Sequence, residues 1–146
     1  MIRKATIKDA NKIAEIDSLI FIDNLGLEFI ESDLRFNPFA NYFVYEIDNI
    51  IVGYIIAWIS DNTSILNFGV LNEYRGKGIG NSLFNEVLNN TEGIMTLEVR
   101  VSNTNAINFY EKRGFKKHSI RKNYYSNGDD AILMVKRFSS GFQREL

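Results

Sequence analysis

The stretch Arg75-Gly76-Lys77-Gly78-Ile79-Gly80 follows an apolar, strand-like run and leads straight into a helical pattern, and it constrains the fold more than any other feature of the chain. Its three glycines let the backbone turn tightly and approach a ligand with no Cβ in the way, leaving several N–H groups able to point at one anion. The helix that begins there adds its own orphan donors and the positive end of its dipole, which favours a pyrophosphate. A glycine-rich turn of purely structural use is the alternative. A strand, a loop and a helix in this order imply a crossover on a sheet. Ligands of open α/β sheets gather beyond the carboxyl ends of strands, which is where this loop falls.

The rest of the chain supplies the layers. Ile2 to Ala5 reads as a short strand. Thr6 offers an N-cap with Asp9 in the first turn, and Ile7, Ala10, Ile13, Ala14, Ile16 and Ile20 mark one side of a helix. Leu27, Ile30, Glu31 and Leu34 suggest a second helix that ends at Asn37-Pro38, because a residue before proline avoids the helical region. From Tyr42 the period becomes two: Tyr42 to Ile47 and Ile50 to Ile59 form a hairpin around Asp48-Asn49, and Ser64 to Leu71 forms a third strand carrying Gly69, a sign of a bulge or of close approach by a ligand. After the loop, Ile79, Leu83, Phe84, Val87 and Leu88 share a helical face. Ile94 to Val101 is a strand, and Ser102 or Asn103 caps a helix that stops at Gly114. Phe115 to Tyr125 and Ala131 to Val135 read as strands joined through Ser126-Asn127-Gly128-Asp129, and residues 138–146 as a loosely held tail. The expected architecture is α/β (α+β), a single domain built on a mixed, mostly antiparallel sheet flanked by helices.

Composition excludes several classes. A chain of 146 residues with 11 Phe and 7 Tyr can bury one substantial core. A formal net charge of −1 argues against a nucleic-acid partner. The absence of cysteine removes thiolate nucleophiles and disulfides, and a single histidine, His118, builds no multi-histidine metal site. No stretch approaches the length of a membrane span and no apolar leader follows Met1, so a cytoplasmic protein, with no membrane partner and no metal, is expected. The basic group Lys112, Arg113, Lys116, Lys117, Arg121 and Lys122 reads as a helix C-terminus complementing its dipole and a solvated strand edge.

Two nucleotide motifs fail at the loop. A P-loop needs four residues between its glycines and then Lys-Ser/Thr. A dinucleotide fingerprint needs a third glycine where Asn81 stands. The spacing is Arg-x-x-Gly-x-Gly, with Arg75, Gly78 and Gly80 in place. With Asn67-Phe68-Gly69-Val70 before it and Asn103…Ala106-Ile107-Asn108-Phe109-Tyr110-Glu111-Lys112-Arg113-Gly114-Phe115 after it, the chain resembles the GNAT family of acetyl-CoA-dependent N-acetyltransferases over residues 64–135. Leu97-Glu98-Val99-Arg100-Val101-Ser102-Asn103, Ile120 to Tyr125 and Asp129 to Met134 are similar to its RimI branch, which acetylates protein N-termini. One departure concerns the acceptor rather than the reaction. Phe21-Ile22-Asp23-Asn24-Leu25-Gly26 stands where that branch commonly carries a Pro-Trp-Ser-type segment lining its peptide groove.

The resemblance implies acetyl-CoA as co-substrate, cradled by Arg75, Gly76, Lys77, Gly78, Ile79 and Gly80 at its pyrophosphate. Phe68 and Asn103 lie along its pantetheine arm, and the backbone N–H of Val70 polarises the thioester carbonyl. An amine attacking a thioester must lose a proton, and the departing thiolate benefits from gaining one. Glu98 is the implied base and Tyr110 the implied acid, Tyr110 also contacting the cofactor, while Tyr124 and Tyr125 border the acceptor groove. Each residue has a plainer alternative. Glu98 can be a solvated strand residue, Tyr110 and Phe68 core aromatics, Asn103 a helix cap, and Tyr124-Tyr125 ordinary strand aromatics. The expected acceptor is the α-amino group of a protein N-terminus, of the ribosomal protein S18-alanine type, with a small-molecule amine as the alternative. A monomer or weak homodimer is expected. A non-catalytic acetyl-CoA-binding module would need the loop but not the pair Glu98 and Tyr110.

Overall fold

The alternation that begins at Ala40 is realised as a hairpin of β2 (Ala40–Ile47) and β3 (Ile50–Ile59), turned by Asp48 and Asn49, whose φ values of 52° and 65° are left-handed. That geometry matches a two-residue hairpin loop, whose twist suits the flanking strands. The computed structural model describes residues 1–138 of the chain. Two compact units can be told apart, one of Met1–Ser60 and Ile65–Asn90, the other of Asp61–Ser64 and the chain from Thr91 onward.

In the first unit, β1 (Ile2–Lys4) pairs antiparallel with β2, Ile2 opposite Tyr45 and Lys4 opposite Phe43. The strand order is β1-β2-β3-β4, where β4 is Thr63–Val70. The Thr6 N–H donates to Asp9 Oδ2 at 2.8 Å and opens a single 3-10 turn, Ile7–Asp9, before α1 (Ala10–Ile20). Asp9 is held in turn by two guanidinium nitrogens of Arg3, each at 2.8 Å. Ile13 and Ile16 of α1 are fully buried with Ile30 of α2 (Leu27–Phe36) against Val44, Tyr54 and Ile56. Each such side chain contributes about 1.5–3 kcal/mol of burial. The carboxylate of Asp17, also fully buried, accepts from the Tyr54 hydroxyl, from Asn67 Nδ2 at 2.7 Å and from the Leu25 N–H at 2.8 Å. Burial of those carboxyl oxygens is thus matched by three donors, and the segment after α1 is tied to β4 beside Phe68. Helix α3 (Ile79–Asn89) buries Ile79, Leu83, Phe84 and Val87, the face its spacing predicts.

In the second unit the order is β4-β5-β7-β6. Thr63 and Ser64 of β4 pair in parallel with Met95 and Thr96 of β5 (Ile94–Arg100), so β4, α3 and β5 form the expected crossover. Strand β5 pairs antiparallel along its length with β7 (Ala131–Arg137), and β7 with the exposed strand β6 (Lys116–Arg121). Helix α4 (Thr104–Lys112) connects β5 to β6. At the foot of β5, Gly93 has φ 72°, and a Cβ there would lie 2.7 Å from the Asp61 carbonyl, so only glycine fits.

Three local expectations change. The strand expected to run to Tyr125 stops at Arg121, because Asn123 turns left-handed (φ 53°) and donates its N–H to Asp130 Oδ1 at 2.9 Å, which starts a loop. Tyr124 and Tyr125 therefore sit in that loop and not in a strand. Gly69 is explained by packing within the protein: a Cβ there would lie 2.6 Å from Ile20 Cδ1 and 3.4 Å from Tyr54 Cε1. At the end of β7 the Phe138 N–H donates to the Gly93 carbonyl at 2.9 Å. The remainder of the expected tail, residues 139–146, lies outside the described residues. No described helix is long and apolar enough to cross a membrane.

Candidate active site

The glycine-rich loop is held at the end of β4 by its own arginine. Leu71 donates its N–H to the Val52 carbonyl at 2.8 Å, so the alternation of a strand turns the N–H of Val70 to the edge away from β3. The Val70 carbonyl accepts from Arg75 Nε at 3.0 Å. Between them lies a 3-10 turn, Asn72–Tyr74, which the sequence reading did not anticipate; it closes through Tyr74 N–H to the Leu71 carbonyl at 2.9 Å. Gly76 and Gly78 then adopt φ values of 78° and 80°, the left-handed region that costs a side-chain-bearing residue about 1–2 kcal/mol. Among the described residues, apart from the chain neighbours, no atom comes within 4 Å of a Cβ placed at either position. The space beside these backbones is open.

Gly78 is the N-cap of α3, and the Ser82 N–H finds the Gly78 carbonyl at 3.0 Å. Ahead of it, the N–H groups of Ile79 and Gly80 lie in the first turn, where helix geometry supplies no intrahelical acceptor. The Ile79 side chain is buried, so only its backbone is offered. A Cβ on Gly80 would meet the Phe68 ring at 3.4 Å, and that ring lies 5.8 Å, centroid to centroid, from Phe84 of α3. Phe68, Val70, Arg75 and Gly80 are thereby assembled within the first unit, with Phe68 half-buried. Lys77 extends over the Tyr74 ring at 5.7 Å.

The second unit assembles a different set. Along β5 the side chains alternate, Met95, Leu97 and Val99 buried, Thr96, Glu98 and Arg100 half-buried on the opposite face. Asn103 caps α4 through Oδ1, which accepts from the Ala106 N–H at 3.2 Å, as the sequence implied. The other end of α4 sets Tyr110. Gly114 (φ 93°) donates its N–H to the Glu111 carbonyl at 3.1 Å and Phe115 donates to the Tyr110 carbonyl at 3.1 Å, the paired bonds of a Schellman cap. Buried Phe115 packs on the Tyr110 ring at 5.7 Å, with Phe109 at 5.5 Å on an edge. Burial pushes the Tyr110 phenol well above the ordinary tyrosine value of 10.0, the neighbouring Tyr125 phenol adds to this, and Arg113 opposes it. This phenol keeps its proton at neutral pH.

Tyr124 and Tyr125 meet edge to face at 5.0 Å. The Tyr124 phenol is also raised, first by burial and then by the Glu98 carboxylate, with Arg121 opposing. Of the five residues singled out in this unit, Tyr124 and Tyr125 are thus in ring contact, the Glu98 carboxylate acts on the Tyr124 phenol and the Tyr125 phenol on that of Tyr110, while Asn103 is fixed by its cap on α4. Arg100 was not among the expected site residues, although it shares the Glu98 face. Its guanidinium lies 4.0 Å from the Tyr125 ring centroid, and the signal that could have found it is its position two residues along the strand from Glu98. Among the described residues no group of three or more His, Cys, Asp or Glu side chains could hold a metal ion.

Residues 38–117 match a family model described as an acetyltransferase (GNAT) domain, more than half of the chain. The chain belongs to the GNAT acetyltransferase family. It is accordingly an acetyl-CoA-dependent acetyltransferase, and its fold is the GNAT fold. An N-alpha-acetyltransferase of Sulfurisphaera tokodaii is 37% identical to it, covering 92% of this chain and 90% of that protein. The ribosomal protein bS18-alanine N-acetyltransferase of Escherichia coli K12 is 39% identical over a shorter match, 53% of this chain and 57% of its own. The crystal structure of Ard1 from Thermoplasma volcanium superposes with a TM-score of 0.85 at 26% identity, covering 96% of this chain and 98% of that one.

Proposed function

We propose that this acetyltransferase moves the acetyl group of acetyl-CoA directly to the α-amino group of a protein N-terminus, of the kind presented by a ribosomal protein. The names of its relatives support the acceptor class. In this reading the N–H groups from Gly76 to Gly80 hold the pyrophosphate, with Arg75 fixing the loop and Lys77 adding charge. Phe68 and Asn103 are each a contact for the pantetheine arm, and the Val70 N–H polarises the thioester carbonyl. Glu98 takes the proton that the amine loses as the new C–N bond forms. Tyr110, held protonated, donates to the sulfur as the C–S bond breaks, so a free thiol and an amide result and protons balance. No covalent enzyme intermediate is involved.

The observation that supports the proposal is the half-buried face of β5, where Glu98 and Arg100 stand together and the Arg100 guanidinium lies 4.0 Å from the ring centroid of Tyr125, itself 5.0 Å from the Tyr124 ring. The ionisation of the acceptor fits this equipment. An α-amine with a pKa of about 8 is roughly one-tenth neutral at pH 7, whereas a lysine amine near 10.4 is neutral to well under 0.1%. A lone carboxylate base is thus better matched to the former. In this reading the enzyme acts in the cytoplasm, as a monomer or weak homodimer. Incubation with acetyl-CoA, N-terminal peptides and polyamines, read by mass spectrometry, tests the acceptor. Acetylation of peptides at the α-amine is expected, and acetylation of the small amines alone would overturn it.

A further inference from the structure

We propose that Arg100 is a positioning residue that sets Tyr125 and the loop around it for the acceptor, an inference resting on the reading of Tyr124 and Tyr125 as acceptor contacts. Its guanidinium makes two kinds of contact with one loop. The guanidinium carbon sits 4.0 Å from the Tyr125 ring centroid, and Nη1 donates to Asn127 Oδ1 at 3.2 Å and to Asp129 Oδ2 at 3.1 Å. The loop is cross-tied around this point. Asn127 Nδ2 donates to Asp129 Oδ2 at 3.0 Å, the Asp129 N–H donates to Asn127 Oδ1 at 3.1 Å, and the Tyr125 N–H donates to the Asp129 carbonyl at 3.1 Å. Its far end is joined to the top of β5 by the Val101 N–H, which donates to the Asp130 carbonyl at 3.2 Å.

The ion pair alone does not explain this arrangement. With side chains 22% and 49% exposed, an Arg100–Asp129 pair is worth little as stabilisation, because solvent screens it. A planar fork that bonds on its edge while stacking on its face instead fixes direction, and it orients the Tyr125 ring relative to the strand that carries Glu98. Lysine can keep the charge but cannot do both.

The test compares Arg100→Ala, Arg100→Lys and Tyr125→Ala with the wild-type protein in peptide acetylation kinetics, acetyl-CoA calorimetry and hydrogen exchange of residues 122–130. Arg100→Ala should raise KM for the acceptor peptide roughly tenfold. It should leave acetyl-CoA affinity unchanged and speed exchange at the Tyr125, Gly128 and Asp129 amides, with Arg100→Lys rescuing only part of the KM. An unchanged acceptor KM in Arg100→Ala, alongside a raised one in Tyr125→Ala, would overturn the positioning role and leave the acceptor reading standing. An unchanged acceptor KM in both would remove the loop from acceptor binding, and the inference with it. Full rescue by lysine would overturn the claim that the guanidinium plane matters.

Discussion

In the proposed function the groups offered to a ligand between Val70 and Gly80 are chiefly backbone N–H donors, whereas along β5, α4 and the 122–130 loop they are side chains carried by three separate elements. The first region is fixed by local geometry. Two left-handed glycines, one 3-10 turn and a single arginine bond to the Val70 carbonyl build it within eleven consecutive residues. The second depends on tertiary placement, with a strand face for Glu98, a Schellman cap for Tyr110 and a cross-tied loop for the tyrosine pair. A cradle of backbone donors suits an invariant cofactor phosphate, while a side-chain region can be altered one residue at a time to suit an acceptor.

The contrast implies that damage to the two regions separates in kinetics. The largest effect should come from Glu98→Gln, which lowers kcat by roughly 10²-fold or more while acetyl-CoA affinity measured by calorimetry stays nearly unchanged. An unaltered rate would take Glu98 out of the mechanism. Gly78→Val should act the other way, weakening acetyl-CoA binding by about tenfold or more, through left-handed strain and a side chain projecting into the open cradle. Normal binding by this variant would break the assignment of the loop.

Tyr110→Phe should reduce kcat by on the order of tenfold, because it removes the phenolic donor but keeps the ring against Phe115. It also carries a pH signature. The phenol's folded value is raised above its unfolded value near 10, so its contribution to stability is fully present below about pH 10 and is lost as pH rises through the higher folded value. The variant should therefore flatten the alkaline limb of a stability-against-pH curve, and an unchanged limb would mean the phenol is not held protonated. The smallest effect is expected for Gly114→Ala, about 1–2 kcal/mol of stability by thermal melting, from a left-handed residue at the cap that sets Tyr110. A neutral substitution would show that the cap does not define that end of α4.

These two regions were also unequally legible in the sequence. Arg75 to Gly80 could be read directly because glycine spacing and local conformation are the same information, and the turn at Asp48-Asn49 was legible for the same reason. The alternation Leu97, Glu98, Val99, Arg100 correctly gave the face of Glu98. What escaped depends on residues distant in sequence. Tyr124 and Tyr125 have strand-forming chemistry, yet Asp130 captures the Asn123 N–H and ends the strand early. Gly69 reads in the sequence as a bulge or a close approach by a ligand, whereas Ile20 and Tyr54 occupy its Cβ space. Arg100 has the residue type of any solvated strand position, and only its contact with Tyr125 distinguishes it. The resemblance to the acetyltransferase family supplied the roles of Glu98 and Tyr110, which periodicity could place on a face but could not name.

The central claim of the proposed function is that Glu98 and Tyr110 carry transfer to an α-amine while the backbone from Gly76 to Gly80 holds the donor. Its most direct test is to acetylate a peptide bearing both a free N-terminus and an internal lysine, and to map the acetyl group by fragmentation mass spectrometry in wild type and Glu98→Gln. The account predicts acetyl on the α-amino nitrogen in wild type and its near-complete loss in the variant, with acetyl-CoA still bound. Acetyl on the lysine alone, or transfer undiminished in Glu98→Gln, would contradict it.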